Sequence, residues 1–350
     1  RGMSFAWIMK FRNTFEEIIS AENLLMAWRE FLYGKRGKPD VQEFQMRLMD
    51  NIFALRDELV NKTYKHGGYK HFRISDPKPR DIHKAGVRDR LLHHAVYRIL
   101  YPLFDKTFIT DSYSCRLGKG THRALNKFRA FAYKVSQNNT KTCWVLKCDI
   151  RKFFASIDHE VLARILEKYI KDEDTIWLLQ KVIESFSSTR PGVGLPLGNL
   201  TSQLLVNIYM NEFDQFMKHG STNFDSELDS RSLPQARAKY YIRYADDFVI
   251  LSDSRKWLEH LIPIIQKFLF EKLKLNLHPN KISIKTLASG VDYLGWVHFP
   301  DHRVLRTSTK RRMLKRIKTL PSPETMNSYL GLLKHGNTRK IRKSSFQWFV

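Results

Sequence analysis

Apolar residues recur along this chain with two periods, and the switch between them marks its elements. Spacings of three and four predict a helix opened by Ser20 and carried through Leu24, Leu25, Trp28 and Leu32. A second helix follows through Val41, Phe44, Leu48, Ile52, Leu55 and Leu59, after a basic loop from Gly34 to Pro39. The same spacing returns at Leu91, Leu92, Val96 and Ile99. It returns again from Val161 to Ile170, with Ser156 or Asp158 as N-cap, and from Leu204 to Phe213, opened by Ser202 and Gln203. Near the end, Met313, Leu314, Ile317 and Leu320 form a stripe on a basic helix. Ser322-Pro323 then start another, with Tyr329, Leu330 and Leu333 as its core face and Gly336 as its stop.

Between these helices the pattern becomes β-branched and aromatic. Trp144 to Ile150 predicts a buried strand, and Tyr240 to Arg243 with Phe248 to Leu251 predicts a hairpin. Lys65 to Pro79 mixes aromatic and basic residues, as extended strands do, whereas 219–239 is polar and without period, an insertion loop.

Composition narrows the class. The 350 residues are 43% hydrophobic, enough for a real core, and carry a formal net charge of +25, which points to a polyanionic partner. No stretch approaches the roughly 18 apolar residues of a spanning helix. The length allows one multi-lobed enzyme or two to three domains. Cys115, Cys143 and Cys148 have no metal-ligand rhythm and read as reduced cytosolic thiols. Arg1-Gly2-Met3 reads as a tag remnant before the native start.

The hairpin carries the chemistry. Asp246 and Asp247 sit at its turn, two carboxylates that repel each other in a confined space, and a divalent cation relieves that repulsion. Asp149, closing the strand from Trp144, supplies a third acid. Three such groups suit a two-metal site, in which one ion activates a 3′-hydroxyl and the other holds a triphosphate.

Around these acids the chain resembles a reverse transcriptase, in order and over most of its length. Lys78-Pro79-Arg80 with Val87 to Arg90 resemble the first fingers motif, and Ser112 to Arg116 with Gly118 the second. Asp149 to Phe154 resemble the first palm motif, Gly194 to Gln203 the segment under the incoming nucleotide, and Tyr244 to Asp247 the catalytic hairpin. Asn280-Lys281 resemble the lysine motif and Asp292 to Trp296 the primer grip. The resemblance implies an α+β right-hand polymerase with helical fingers and thumb and an antiparallel-sheet palm. It places an N-terminal helical extension and the start of the fingers in 1–75, fingers in 76–138, palm in 139–300 and thumb in 301–350.

It also implies roles. Asp149, Asp246, Asp247 and the backbone of Ile150 would hold two Mg²⁺ ions, with Mn²⁺ as a substitute, and Lys281 would protonate the pyrophosphate. Lys78 and Arg80 would reach the triphosphate, and Arg116 would line the template or nucleotide side. Phe154 would lie under the sugar and exclude a 2′-hydroxyl, Gly198 would let backbone approach the nucleotide, and Leu197 and Gln203 would flank it. Tyr293, Leu294 and Gly295 would grip the primer, while Lys310, Arg311 and Lys315 would follow the hybrid backbone in a salt-dependent way. Arg90 is expected to contact a ligand or to brace the fold through an acid such as Asp89. Lys119, Arg123, Lys127 and Arg129 are expected to form a basic helix face.

Leu197 stands where most of the family has Gln, and Gln203 where it has Pro. That pair resembles the reverse transcriptases of diversity-generating retroelements, which write errors opposite template adenines. Losing a Gln hydrogen bond is worth about 1 kcal/mol, less than tenfold in discrimination. Implied partners are a template RNA, the RNA/cDNA hybrid, deoxynucleotides and a small basic helical oligomeric accessory protein. The implied setting is the cytoplasm, bacterial or phage-encoded, without membrane. Retron, group II-like and phage-defence enzymes, and an inactive RNA-binding relic, stay open as alternatives.

Overall fold

The computed structural model describes residues 13–75, 79–220, 237–319 and 322–346. Helices α1 (Thr14–Ile19), α2 (Ala21–Phe31), α3 (Pro39–Met46) and α4 (Leu48–Val60) come first. Ser20 caps α2 as expected, its hydroxyl accepting from the Asn23 amide at 3.1 Å. The single helix predicted through Val41 to Leu59 is two, because Arg47 leaves helical geometry (φ −123°, ψ 44°). The Asn51 side chain donates to the Phe44 carbonyl at 2.9 Å, satisfying a backbone acceptor next to the break.

A hairpin follows, β1 (Tyr69–Ile74) and β2 (Arg80–Ala85), in register from Tyr69 opposite Ala85 to Ile74 opposite Arg80. The expected boundary at 75/76 therefore falls inside one hairpin. Helix α5 (Val87–Asp105) packs against α1, α2 and α3. Its first turn holds a buried carboxylate, Asp89, which accepts from the Tyr64 hydroxyl at 2.9 Å and the Gly67 amide at 3.0 Å. Arg90 does brace the fold through an acid, but that acid is Asp40, 2.8 Å away, rather than Asp89.

Helix α6 (Thr121–Val135) leads to β3 (Trp144–Asp149), a short 3₁₀ turn (Phe153–Ser156), α7 (His159–Tyr169), α8 (Glu173–Glu184) and α9 (Leu200–His219). Asp158 is the N-cap of α7, accepting from the Val161 amide at 3.0 Å. Most of the expected insertion loop lies outside the described residues. Then come β4 (Tyr241–Tyr244), β5 (Asp247–Ser252), α10 (Arg255–Leu273), a 3₁₀ turn (Pro279–Lys281) and β6 (Ser283–Thr286). Strands β7 (Val291–Tyr293), β8 (Trp296–His298) and β9 (Arg303–Leu305) precede α11 (Thr307–Thr319), α12 (Pro323–Leu333) and α13 (Arg339–Phe346). The expected 300/301 boundary cuts the β8–β9 turn.

The central sheet runs β4-β5-β3-β6 and is antiparallel throughout. Both faces are covered, so its side chains alternate between two cores. Leu146, Cys148, Tyr241, Phe248 and Ile250 belong to the core that contains α9 and α10. Val145, Ile242, Val249 and Leu251 belong to a second core with Phe128 of α6 and Tyr293 and Trp296 of the three-stranded sheet.

The C-terminal helices join that second core through Met313, Met326 and Leu333. Leu314 does not; it is 38% exposed. Leu320 lies outside the described residues. Helix α12 is capped by Ser322 and ends at Leu333, so Gly336 is not its stop. Gly336 is needed for packing, since a Cβ there would come within 2.0 Å of the Trp296 ring. We expect Gly336→Ala to loosen this end of the molecule, lowering stability by roughly 1–3 kcal/mol. Denaturant unfolding would check the size, and earlier proteolysis after 319 the location.

Candidate active site

The three acids arise from strand register. Asp149 ends β3 and Asp247 begins β5, directly opposite each other. Asp246 lies in the β4–β5 turn after Ala245, whose φ of +55° is the left-handed region that non-glycine residues rarely occupy. The turn is tied to β3, since the Ile150 amide donates to the Asp246 carbonyl at 3.2 Å. Burial, then the nearby Asp247 and Asp149, push the Asp246 carboxyl up to about 6. The acids thus sense each other and favour a shared cation.

Lysines already answer part of that charge. Lys281 Nζ donates to Asp149 Oδ1 at 2.8 Å. Lys147, one pleat before Asp149 on the same face, lies 4.0 Å from Asp247 and donates to the Asp292 carbonyl at 3.0 Å. Among the described residues no three acid, His or Cys side chains converge into a ready cage. The donor set suits Mg²⁺ or Mn²⁺, but the Asp149 carboxylate faces Lys281. A cleft of about 260 Å³ opens beside these groups, lined also by Lys285, Asp292 and Arg306.

What holds the hairpin was not foreseen. Arg243 of β4 is fully buried, and so is Asp214 of α9. The guanidinium meets that carboxylate through Nε at 2.8 Å and Nη2 at 2.7 Å. Nη2 also donates to the Ser112 hydroxyl at 3.1 Å, and Nη1 to Asn207 Oδ1 at 3.3 Å and the Ala245 carbonyl at 3.2 Å. Every donor of the fork is used, and one of them anchors the strained residue before Asp246. Tyr241 adds a 2.7 Å hydrogen bond to Asp214. The one visible signal was a charged residue between apolar neighbours in a predicted core strand.

The segment from Gly194 to Gln203 is strapped to neighbouring backbone. The Leu195 amide donates to the Phe154 carbonyl at 2.8 Å, and the His83 amide of β2 donates to the Leu197 carbonyl at 3.0 Å. Gly198 has φ +117°, and a Cβ there would meet Ile82 at 2.9 Å. The close approach it permits is therefore to β2. Asn199 donates to the His83 carbonyl at 3.2 Å while its own buried Oδ1 has no partner. Phe153 is buried, whereas Phe154 stands half-buried against it, rings 5.6 Å apart and T-shaped. Gln203 is half-buried in the first turn of α9. Behind this segment, His66 contacts His93 at 3.1 Å and His93 contacts the Thr201 hydroxyl.

Other expected contacts separate. Lys78 lies outside the described residues. Arg80 is exposed at the start of β2. Arg116 is a brace, not a ligand contact: Nε pairs with Asp105 at 2.7 Å, and its other nitrogens donate to the carbonyls of Asp105, Ile109 and Ser112. On the basic face near α6, Lys127 pairs with Asp111 at 3.3 Å and Lys119 donates to the Thr110 carbonyl at 2.8 Å. Tyr293 is fully buried against Phe128, so its ring cannot grip a primer. Leu294 (φ +48°) and Gly295 (φ +86°) form the half-buried turn of the β7–β8 hairpin. Lys310, Arg311 and Lys315 are exposed on α11.

Residues 74–298 match the family model for reverse transcriptase (RNA-dependent DNA polymerase). The chain belongs to the reverse transcriptase family. It is an RNA-directed DNA polymerase with that family's mixed helical and antiparallel-sheet fold, and the family uses divalent metal ions. It is similar to Protein YkfC of Escherichia coli, 27% identical, over 81% of this chain and 78% of that protein. It is also similar to the group II intron-encoded protein LtrA of Lactococcus lactis, 24% identical, over 75% of this chain but only 51% of the relative. A telomerase structure from Candida albicans aligns with TM-score 0.48 and 10% identity over 74% of this chain and 51% of that one. Among the described residues no helix is long and apolar enough to cross a membrane.

Breaking one side of the Arg243–Asp214 pair would strand a buried charge, a loss of about 3–5 kcal/mol. Asp214→Asn is therefore expected to unfold at markedly lower denaturant concentration than the parent protein. Burial, and the neighbouring His66, His94 and Arg90, hold the His93 imidazole down at about 3, against 6.5 in the unfolded chain. Because the unfolded state takes up that proton first, stability should fall as pH drops from 6.5 toward 3, and His93→Gln should flatten the slope. Asp246, raised from 3.8, contributes with the opposite sign between 3.8 and about 6. Melting temperatures across this range check both.

Proposed function

We propose that this reverse transcriptase copies a template RNA into error-prone, adenine-mutagenised cDNA in a diversity-generating retroelement. The observation that carries the polymerase chemistry is the acid array. Asp149 and Asp247 face each other on adjacent strands, with Asp246 in a turn fixed by Arg243. Two Mg²⁺ ions, when bound by these acids and the Ile150 carbonyl, would activate the primer hydroxyl and neutralise the triphosphate. Asp149 must release Lys281 for this, which frees the ammonium to face the pyrophosphate leaving group. Phe154, half-buried beside the Leu195 segment, would back the sugar and disfavour a 2′-hydroxyl.

In this reading β1–β2 and α5–α6 serve as fingers, the β4-β5-β3-β6 sheet as palm, and α11–α13 as thumb. Lys78 and Arg80, the latter at the start of β2, would meet the triphosphate, and Gln203 would lie behind the templating pair. The Leu294-Gly295 turn would press the primer end, with Lys310, Arg311 and Lys315 on the hybrid phosphates. A cytoplasmic bacterial or phage setting and a small basic accessory protein belong to the same proposal.

Leu197 supports the mutagenic subtype, since an aliphatic side chain offers the nascent pair no hydrogen bond. A second reading, a group II intron-like enzyme that copies faithfully, is favoured by the similarity to LtrA. Sequenced cDNA from a defined RNA, made with Mg²⁺ and the four deoxynucleotides, separates them. We expect errors opposite template adenine that fall severalfold in Leu197→Gln; uniformly low error in the parent protein would assign the intron-like role. Asp246→Asn is expected to abolish synthesis under every condition while keeping the fold and RNA binding.

A further inference from the structure

Away from the acids, α6, the β8–β9 turn and the turn between α12 and α13 enclose a cavity of about 340 Å³. Two of its lining residues carry buried polar atoms without a partner, His298 Nε2 and Arg303 Nη1. His298 is 3% exposed. Burial, followed by the nearby Arg303, holds the imidazole down at about 3, so it is neutral. A neutral imidazole carries one donor and one acceptor nitrogen, so the unpartnered Nε2 can serve either role toward a ligand. The rest of the Arg303 fork is occupied, Nε by the His335 carbonyl and Nη2 by Asn126 Oδ1 at 3.3 Å. The cavity wall therefore carries two unpartnered polar atoms, an imidazole nitrogen and a guanidinium donor.

Its walls are flat and its rim is basic. Phe128 packs on His298 with ring centroids 4.6 Å apart, and Phe299 stacks on His302 at 5.0 Å and 14°. Arg129 and Lys334 line it and are exposed. Asp301 is the acid among the lining residues, and Asn139 donates to it at 3.3 Å. A planar group with a donor and an acceptor on one edge, carried on a polyanion, matches this set. Nucleobases have such edges, and an unpaired strand can splay a base out to be stacked and read.

We propose that this cavity binds the base of an unpaired nucleotide of the template RNA, its edge on His298 and Arg303 and its flanking phosphates on Arg129 and Lys334. The proposal rests on the reading of the chain as an RNA-copying enzyme. It would give the polymerase a hold on single-stranded RNA that is separate from the hybrid.

The test is photocrosslinking of the full chain to a single-stranded RNA carrying 4-thiouridine, with crosslinked peptides mapped by mass spectrometry. Primer extension by the same preparation runs in parallel. Crosslinks to Phe299, His302 or residues 334–337, falling at least about fivefold in Phe299→Ala and in the exposed-site variant Lys334→Glu, are expected. Extension with crosslinks confined to other elements would overturn the base pocket and leave the cavity to water. Neither extension nor crosslinks would overturn it together with the reading beneath it.

Discussion

The ion pair between Arg243 and Asp214 is the constraint on which the catalytic end depends. Two charges removed from water are tolerable only when each is paired and fully hydrogen-bonded. Arg243 meets that condition by drawing on α9, the loop at Ser112 and the carbonyl of Ala245. Burial alone would favour a neutral guanidine, but Asp214 outweighs it and the group is held above its ordinary value. The same contacts keep Ala245 left-handed, and with it the placement of Asp246. A hairpin held only by its own ladder would relax the repulsion between Asp246 and Asp247 by opening. This one is held from beneath.

A second constraint joins the segment from Gly194 to Gln203 to β2. The backbone of His83 both donates to Leu197 and accepts from Asn199, and Gly198 leaves room for Ile82 between them. The glycine that motif comparison assigns to nucleotide approach thus first permits two protein backbones to meet. The His66–His93–Thr201 contacts extend the link from the base of the hairpin into α9. Leu197 is consequently set by β2 as much as by its own loop, and hydrogen bonds tie the hairpin to the segment from Leu197 to Thr201 at several points.

Features with local causes were legible in the sequence. The caps at Ser20, Asp158 and Ser322 each depend on an amide three residues away, and the alternation in β3 and β5 reports two buried faces. The acid array was also legible, because register brings Asp149 and Asp247 together once the strands pair. Long-range partners were not. Arg116 and Tyr293 sit in motifs associated with ligands, yet Asp105 and Phe128 claim them. Arg243 looked like one more strand residue, since its partner lies 29 positions earlier on a helix. Gly336 signalled a helix end by its type, whereas Trp296, 40 residues back, decides its role.

The contact between Lys281 and Asp149 gives the resting enzyme a particular character. The cluster is not an open anionic hole. One of its three carboxylates already has a tethered ammonium as counter-ion, carried on a short 3₁₀ turn. A cation held by Asp149 would have to displace that tether, and a triphosphate would offer the released lysine an anion to face. Exchange of this kind would couple the binding of ion and substrate, a latch against idle metal.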